Sequence, residues 1–585
     1  MARKYSSLAA TPVPQSEALD ERQIPNNAGG FVYQLDDFAR LSRFLILGSD
    51  SATYYQKPEK LTRENAACVT RCYDTDPVRT VETIATISDS GRAPKNDSAI
   101  FALALGAAHK DAKVRTLALT ALPRVCRIGT HLFQLADNLH SLGKGWGRAQ
   151  KRAFAKWYND RPVDSVAYQA IKYREREGYS HKRILKTAHP SAAVLSTKDG
   201  ESVSLEDAAN MIAERTALYR WIRGVPVDGP LPKIVEAHIE AMKTALPVVH
   251  AETTTEAERN VAEKTAKAEN EKKLLQLITE NRLPWEAIPT EASTDKDVWA
   301  AMLPDMGLTA LVRNLGNMTR YGTIAPMNEA EKLIVEHLGN ETELKKARVH
   351  PFSILLAAAT YGSGRGFRGS GTWDPSQPIM GALNDAFYKA FANVVPTGKR
   401  RLVALDVSGS MTSPLMGSPL TVRAGSSAMA LITLATEKQT HIVGFTSGLR
   451  GGSGRYWGSR ERQDVDGITP LKITSKMSVE QVCAYTDGLD FGSTDCALPM
   501  LYAAAKGIEV DCFEIYTDAE TWAGSIHPME ALRAYRKKTG INAKLVVIGM
   551  TATSFTIADP ADGGALDVCG FDSNAPALIA DFIRS

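Results

Sequence analysis

Two hydrophobic periods divide the 585-residue chain. From Phe31 to about Gly362, apolar residues recur three and four apart. Leu35, Phe38, Ala39, Leu41 and Leu45 form one such set, and Val81, Ile84, Ala85 and Ile87 another. Ile100, Leu103, Ala104 and Ala107 form a third. This is the pattern of successive amphipathic helices. Short breakers separate them, at Asp76–Pro77, Gly91–Pro94 and Leu142–Gly145. Strand-like alternation is nearly absent. Single amphipathic helices cannot bury their faces alone, so the region predicts helix pairs stacked into a HEAT-like solenoid. No literal repeat of fixed period accompanies it. Residues 251–275, rich in Glu, Lys, Ala and Thr, predict an exposed helix. Residues 1–25 are polar and carry Pro12, Pro14 and Pro25. They predict a flexible tail.

Near residue 370 the pattern changes. A Gly- and Arg-rich stretch, Gly362 to Gly371, is followed by one more helix, Ile379 to Val394. Strand and helix periods then alternate. Arg401–Asp406, His441–Phe445, Cys512–Thr517 and Lys544–Gly549 predict strands; Arg423–Glu437 and Pro528–Lys537 predict helices. That is a doubly wound α/β domain. The organisation expected is a tail (1–25), an all-α module (26–370) and an α/β domain (371–585). Ser447 to Gly467 predicts a long loop.

Composition adds little to this picture. The chain is 44% hydrophobic and 23% charged, with a net charge of +3, an ordinary balance that does not point to nucleic acid. No run approaches the roughly 18 apolar residues of a membrane span, so no membrane association is expected. Met1 to Gln15 has no apolar core for a secretory signal. Seven scattered cysteines argue against a disulfide framework and fit a reducing, cytoplasmic setting. Cys68 and Cys72 share a helical face without a His or Cys cluster, which favours packing over zinc.

The sharpest chemistry lies at the end of the first predicted strand. Leu402–Val403–Ala404–Leu405 is apolar, and Asp406–Val407–Ser408–Gly409–Ser410 follows. Asp-x-Ser-x-Ser delivers one carboxylate and two hydroxyls to a strand's C-terminal end, where doubly wound sheets bind ligands. Hard cations want oxygen ligands, and Mg²⁺ takes only one or two carboxylates. Thr494, in Gly492–Ser493–Thr494–Asp495, and Asp518, ending Ile515–Tyr516–Thr517–Asp518, complete a candidate set. Asp406, Ser408, Ser410, Thr494 and Asp518 resemble the metal-ion-dependent adhesion site of von Willebrand A domains. The alternative is a turn with helix-capping hydroxyls. Such sites bind a partner's carboxylate and do not catalyse.

Residues 141–190 concentrate positive charge. Lys144, Arg148, Lys151, Arg152, Lys156, Arg161, Lys172, Arg174, Arg176, Lys182, Arg183 and Lys186 stand against Asp160, Asp164, Glu175 and Glu177. At 100° per residue, Trp146, Ala149, Ala153, Phe154 and Trp157 make an apolar stripe. Arg148, Lys151, Arg152 and Lys156 lie opposite. Such a row can follow a phosphate backbone in a salt-sensitive way; a solvated helix face is the alternative. The tryptophans read as core. His189, before Pro190, reads as structural by itself.

Many motifs in one order resemble the Ro 60 kDa ribonucleoprotein family and its bacterial members. They include Arg43–Phe44–Leu45 with Thr53–Tyr54–Tyr55, Val125–Cys126–Arg127–Ile128 with Thr130–His131–Leu132–Phe133, and Trp146–Gly147–Arg148–Ala149 with Trp157–Tyr158–Asn159. Ser180–His181–Lys182, Arg313–Asn314–Leu315–Gly316 and His350–Pro351–Phe352 follow. The C-terminal part adds Pro396–Thr397–Gly398–Lys399–Arg400, Thr494–Asp495–Cys496, Phe555–Thr556–Ile557–Ala558–Asp559–Pro560 and Cys569–Gly570–Phe571–Asp572. The resemblance implies a ring of helical repeats, the TROVE module, closed by a von Willebrand A domain. It implies binding of small noncoding Y RNA on the outer surface and of single-stranded 3′ ends of misfolded RNA in the hole. Bacterial members work with polynucleotide phosphorylase, an exoribonuclease, through the Y RNA. Lys172, Arg176 and His189 fall on positions that the family uses for Y RNA contact, so the resemblance gives His189 a functional role. The family's Gly-Gly-Thr-Asp stands here as Gly492–Ser493–Thr494–Asp495. The 447–467 loop is longer than the family pattern, and Pro226–Pro232 and His250–Asn260 diverge from it.

The function expected is therefore a monomeric, non-enzymatic RNA-binding scaffold in RNA quality control. Its RNA-binding residues would be Lys144, Arg148, Lys151, Arg152, Lys172, Arg176 and His189, and its cofactor a divalent cation, Mg²⁺. The competing reading is a metal-dependent protein–protein adaptor on a helical solenoid. An enzyme has little support: the glycine runs at 362–371 and 448–454 lack the strand-to-helix setting of phosphate loops.

Overall fold

In the computed structural model, the described residues are 12–47, 66–90, 96–193, 204–245, 256–347, 351–366, 371–390, 396–412, 421–446, 467–474, 477–487, 489, 493–549, 555–569 and 575–584. The 448–454 glycine run and all of the 447–467 loop except Gly467 lie outside them. Contacts divide the chain into two units. One comprises Met1–Ser98, Arg348–Ala359 and Asn384–Ser585, the other Ala99–Ala347 and Thr360–Leu383.

The first unit is built on a six-stranded sheet. Its order is Ala565–Cys569, Lys544–Gly549, Cys512–Thr517, Arg401–Asp406, Thr440–Phe445, Ile468–Pro470. The first five strands are parallel and the last is antiparallel. The four expected strands are all present. The two edge strands, Ala565–Cys569 and Ile468–Pro470, are additional. Arg401–Asp406 and Cys512–Thr517 are buried at every position, which is why they read as continuous apolar runs. Even Arg401 is buried. It donates to Glu437 Oε1 at 2.9 Å and to Glu514 Oε1, both carboxylates being inaccessible. Helices Val422–Thr436, Leu498–Lys506 and Pro528–Thr539 accompany the sheet. Thr421 caps the first through Ala424 N–H at 3.1 Å, and Gly507 and Gly540 end the other two in the left-handed region.

The described part of the expected tail, residues 12–25, is not loose. Gln23–Pro25 pairs with Phe31–Gln34, which pairs in turn with Phe555–Thr556. Gln15 is fully buried. Polarity and proline point to mobility, but Gln15, Arg22 and Gln23 are bonded to Asp495, Asp559 and His527 of the α/β domain. Helices Asp37–Leu47, Ala67–Thr75 and Pro77–Ser90 belong to this unit as well. Arg43, 2% exposed, holds the first to the sheet by a bidentate pair with Asp567 at 2.7 and 2.9 Å. Cys68 and Cys72 are fully buried packing residues.

The second unit is helical. Its helices include Ala112–Thr120, Gly129–Ser141, Arg148–Asn159, Val163–Lys172, His181–Ala188, Leu205–Arg223, Lys233–Lys243, Glu256–Asn281, Leu308–Arg320 and Glu329–Gly339. The expected helix at 251–275 corresponds to Glu256–Asn281. One two-stranded hairpin, Glu175–Arg176 with Tyr179–Ser180, interrupts the series. Its turn residues Glu177 and Gly178 both have positive φ, 52° and 69°, as a tight hairpin turn requires. Among the described residues no helix is long and apolar enough to cross a membrane.

Candidate metal centre and basic surface

Sheet register builds the candidate metal centre. The strand ending in Asp406 lies parallel to the strand ending in Thr517, with Leu405 opposite Tyr516. Asp406 and Asp518 are thereby delivered to the same sheet edge. Both are buried, 1% and 2% exposed. Asp406 Oδ1 accepts from Ser408 N–H at 2.9 Å, and Oδ2 from the Thr517 hydroxyl at 2.8 Å. The Ser408 and Ser410 hydroxyls are 2.9 Å apart. The Ser410 hydroxyl acts to lower the pKa of the buried Asp518 carboxyl, and Asp518 Oδ1 accepts from Glu520 N–H at 3.0 Å. Ala519, next in the chain, has φ +64°, an uncommon conformation for a residue with a side chain.

Thr494 is 4% exposed on a third loop. Its carbonyl accepts from Trp522 and Ala523 N–H, each at 3.2 Å, tying it to the loop after Asp518. Thr446 fixes the same loop through Ser493 O at 2.9 Å. The structure thus brings Asp406, Ser408 and Ser410 into one hydrogen-bonded group, with Asp518 at the end of the neighbouring strand and Thr494 on the adjoining loop. Thr517 was missed in the sequence: it sits on the strand before the expected ligand Asp518, and only sheet register reveals that its hydroxyl meets Asp406.

This donor set fits a hard divalent cation. Asp518 Oδ2 is buried without a hydrogen-bond partner among the described residues. Burial, and secondarily the Asp518 charge, pushes the Asp406 carboxyl up to about 7; burial also raises Asp518. Two adjacent buried acids with an orphaned oxygen call for a compensating charge. A cluster of Glu271, Asp295 and Asp297 lies elsewhere, but it is exposed to half-buried, and Asp295 is engaged in capping the Lys296–Met302 helix.

The basic residues occupy consecutive elements of the helical unit. Phe154, Trp157 and Tyr158 form the buried side of Arg148–Asn159. Trp146 lies before the helix and packs edge-on against Phe154, centroids 4.8 Å apart. Ala149, expected on the apolar stripe, is exposed: the helical period assigns it to that face but does not determine what covers it. Arg148, Arg152 and Lys156 are exposed, and Lys144 and Lys151 half-buried. Lys156 pairs with Asp160 at 2.9 Å.

The helix His181–Ala188 packs against Arg148–Asn159, joined by a 2.8 Å bond between His181 Nδ1 and the Tyr158 hydroxyl. Exposed Lys182, Arg183 and Lys186 are on this second helix. His189 caps its C-terminus at φ +50° and is exposed. Arg176 is exposed on the hairpin. Arg183 stiffens that hairpin by donating to Gly178 O at 2.9 Å and covering the Tyr179 ring at 4.0 Å. Lys172 is half-buried and otherwise engaged, donating to the Tyr168 hydroxyl at 3.1 Å.

A parallel α/β domain with an Asp-x-Ser-x-Ser centre, carried in one chain with a basic helical module, defines the class: a helical-repeat protein with a von Willebrand A-type domain. The chain belongs to the TROVE-domain, Ro60 family. The family model of the TROVE domain matches residues 24–360, and that of the Ro60 vWA domain residues 400–583. The chain is 37% identical over 615 residues to the RNA-binding protein RO60 of Caenorhabditis elegans, covering 97% of this chain and 91% of that one. It is 38% identical over 578 residues to the RNA-binding protein RO60 of Deinococcus radiodurans, covering 98% and 97%. The crystal structure of the Deinococcus radiodurans RO (RSR) protein superposes with a TM-score of 0.66 at 36% identity, covering 94% of this chain and 99% of that one.

Proposed function

We propose that this chain is a non-enzymatic RNA-binding scaffold. The observation that carries the reading is the exposed row of cations on two packed helices and the hairpin beside them, in a chain whose full-length relatives are named RNA-binding proteins. Arg148, Arg152, Arg176, Lys182 and Lys186 would meet phosphates, with Lys144, Lys151 and Lys172 flanking them and His189 at the helix end. Phosphate contacts position an RNA without reading its sequence, so shape and single-stranded ends supply selectivity. The ligands proposed are a structured Y RNA and the 3′ ends of misfolded noncoding RNA. An exoribonuclease such as polynucleotide phosphorylase would be recruited through the RNA. The setting is cytoplasmic and the chain monomeric. Crosslinking in the native cell followed by sequencing tests this: enrichment of one structured noncoding RNA and of frayed 3′ ends is expected, and a uniform transcript profile refutes it.

The orphaned Asp518 oxygen favours a second activity in the same molecule. Asp406, Ser408, Ser410, Thr494 and Asp518 would hold Mg²⁺, which supplies a Lewis-acidic position for a carboxylate from a protein partner. That is the adaptor role, here alongside RNA binding. Uptake of Mg²⁺ by the purified chain, lost in Asp518→Ala, is the test.

A further inference from the structure

Residues 13–30 cross the two loops that carry Thr494 and Asp518 and are bonded to them through Gln15, Asn26, Asn27 and Ala28. Gln15 Nε2 donates to Asp495 Oδ1 at 2.7 Å and to Ile526 O at 2.9 Å. Its Oε1 accepts from the Thr521 hydroxyl. Its backbone N–H donates to Gly524 O at 2.9 Å. One buried side chain therefore joins the residue after Thr494 to the residue three beyond Asp518. Asn26 Nδ2 donates to Thr521 O at 2.8 Å and to Ala519 O at 3.4 Å, the carbonyl of the positive-φ residue. Asn27 Nδ2 and Ala28 N–H take the two oxygens of Glu520 at 2.7 and 3.1 Å. The approach is backbone-close: a Cβ on Gly30 would lie 1.9 Å from Thr521 O. Residues 519 to 521 are thus each held by residues 13–30, while the Asp518 Oδ2 beside them is buried without a hydrogen-bond partner among the described residues.

We propose that Gln15 and Asn26 are positioning residues for the cation site, and that the docking of residues 13–30 and the binding of the ion are coupled. This rests on the proposed Mg²⁺ reading. The physical reason is that Ala519 and the Thr494 loop need outside hydrogen bonds to hold a conformation in which hydroxyl and carboxylate oxygens converge. Coupling of this kind is reciprocal: the factor by which docking tightens the ion is the factor by which the ion tightens docking.

The test uses the full chain. Mg²⁺ affinity is measured by calorimetry on wild type, Gln15→Ala and Asp406→Asn. Hydrogen exchange of residues 13–34 is followed in wild type with saturating Mg²⁺ or with EDTA, so that the result does not depend on the variant folding. The expected outcome is a Mg²⁺ affinity about tenfold weaker in Gln15→Ala, within the usual 5–150-fold range of such couplings. Exchange of residues 13–34 in wild type should slow by a similar factor when Mg²⁺ is added. Two results overturn the inference while leaving the cation site standing: wild type binds Mg²⁺ and Gln15→Ala matches it within twofold, or exchange of residues 13–34 is indifferent to the ion. If wild type takes up no Mg²⁺ and is indistinguishable from Asp406→Asn, both this inference and the cation reading fall.

Discussion

Replacing Asp406 with Asn separates the two demands on that side chain, compatibility with burial and affinity for a cation. Its carboxyl is pushed up to about 7, by burial first and by Asp518 second. A carboxyl raised in the fold contributes stability that is fully present below its unfolded value of about 3.9 and lost as pH rises through about 7. A rise of about three pH units from 3.8 to about 7 corresponds to about 4 kcal/mol at about 1.36 kcal/mol per unit, a ceiling that water entry lowers. Asn keeps an acceptor for Ser408 N–H and a group for Thr517 to bond, but it carries no charge. In EDTA at pH 8, Asp406→Asn should therefore gain roughly 1–4 kcal/mol over wild type, and at pH 5 much less. Saturating Mg²⁺ at pH 8 should stabilise wild type by about 2.7 kcal/mol at a hundred times its Kd and leave Asp406→Asn unmoved. Urea unfolding followed by circular dichroism, at both pH values with EDTA or Mg²⁺, reads all of this. An Asn variant less stable than wild type at pH 8 in EDTA, or one that Mg²⁺ stabilises equally, refutes the reasoning.

Other consequences are more local. Arg43→Ala leaves Asp567 without its bidentate partner in a largely buried site and should cost about 3–5 kcal/mol of stability in chemical denaturation; a loss under 1 kcal/mol contradicts the packing described. His181 is buried and neutral, its pKa lowered to about 3 by burial. Its contribution is full above about 6.5 and declines as pH falls toward 3, by at most about 1.4 kcal/mol per pH unit; His181→Gln should flatten that part of the stability–pH curve. Gly30→Ala drives a methyl into Thr521 O and should destabilise the chain by about 1–3 kcal/mol, measurable as a lowered urea midpoint.

What the sequence made legible followed from period and from strand ends. The apolar runs ending in Asp406 and Thr517–Asp518 carried their own signal, because strands buried on both faces leave no alternation to blur. The two carboxylates and two serines could be placed together on that basis. Residues 13–34 could not be read this way. Gln15 and Asn26 are buried by particular hydrogen bonds, and a polar, proline-bearing segment looks alike whether it is solvated or fully bonded to a distant loop. Ala149 illustrates the limit of helical phase: a period assigns a face but not whether a neighbour covers it. The hairpin bearing Arg176 had one usable cue, Glu177–Gly178 between two short extended pairs. His189 gained a role only through family resemblance, since an exposed histidine at a helix C-terminus has no pattern of its own.

The claim that this chain binds RNA through the basic helices is tested most directly by one titration. A hairpin RNA with a single-stranded 3′ tail is bound to wild type and to a variant carrying Arg148→Glu, Arg152→Glu and Arg176→Glu, at salt from 50 to 200 mM. Each lost phosphate contact should lessen the log–log salt slope by about 0.7–0.9, so three contacts lessen it by about 2–3. Affinity at low salt should fall by more than about tenfold, with the thermal melt of the protein unchanged because all three side chains are exposed. Equal affinity and an equal slope in the two proteins contradict the assignment.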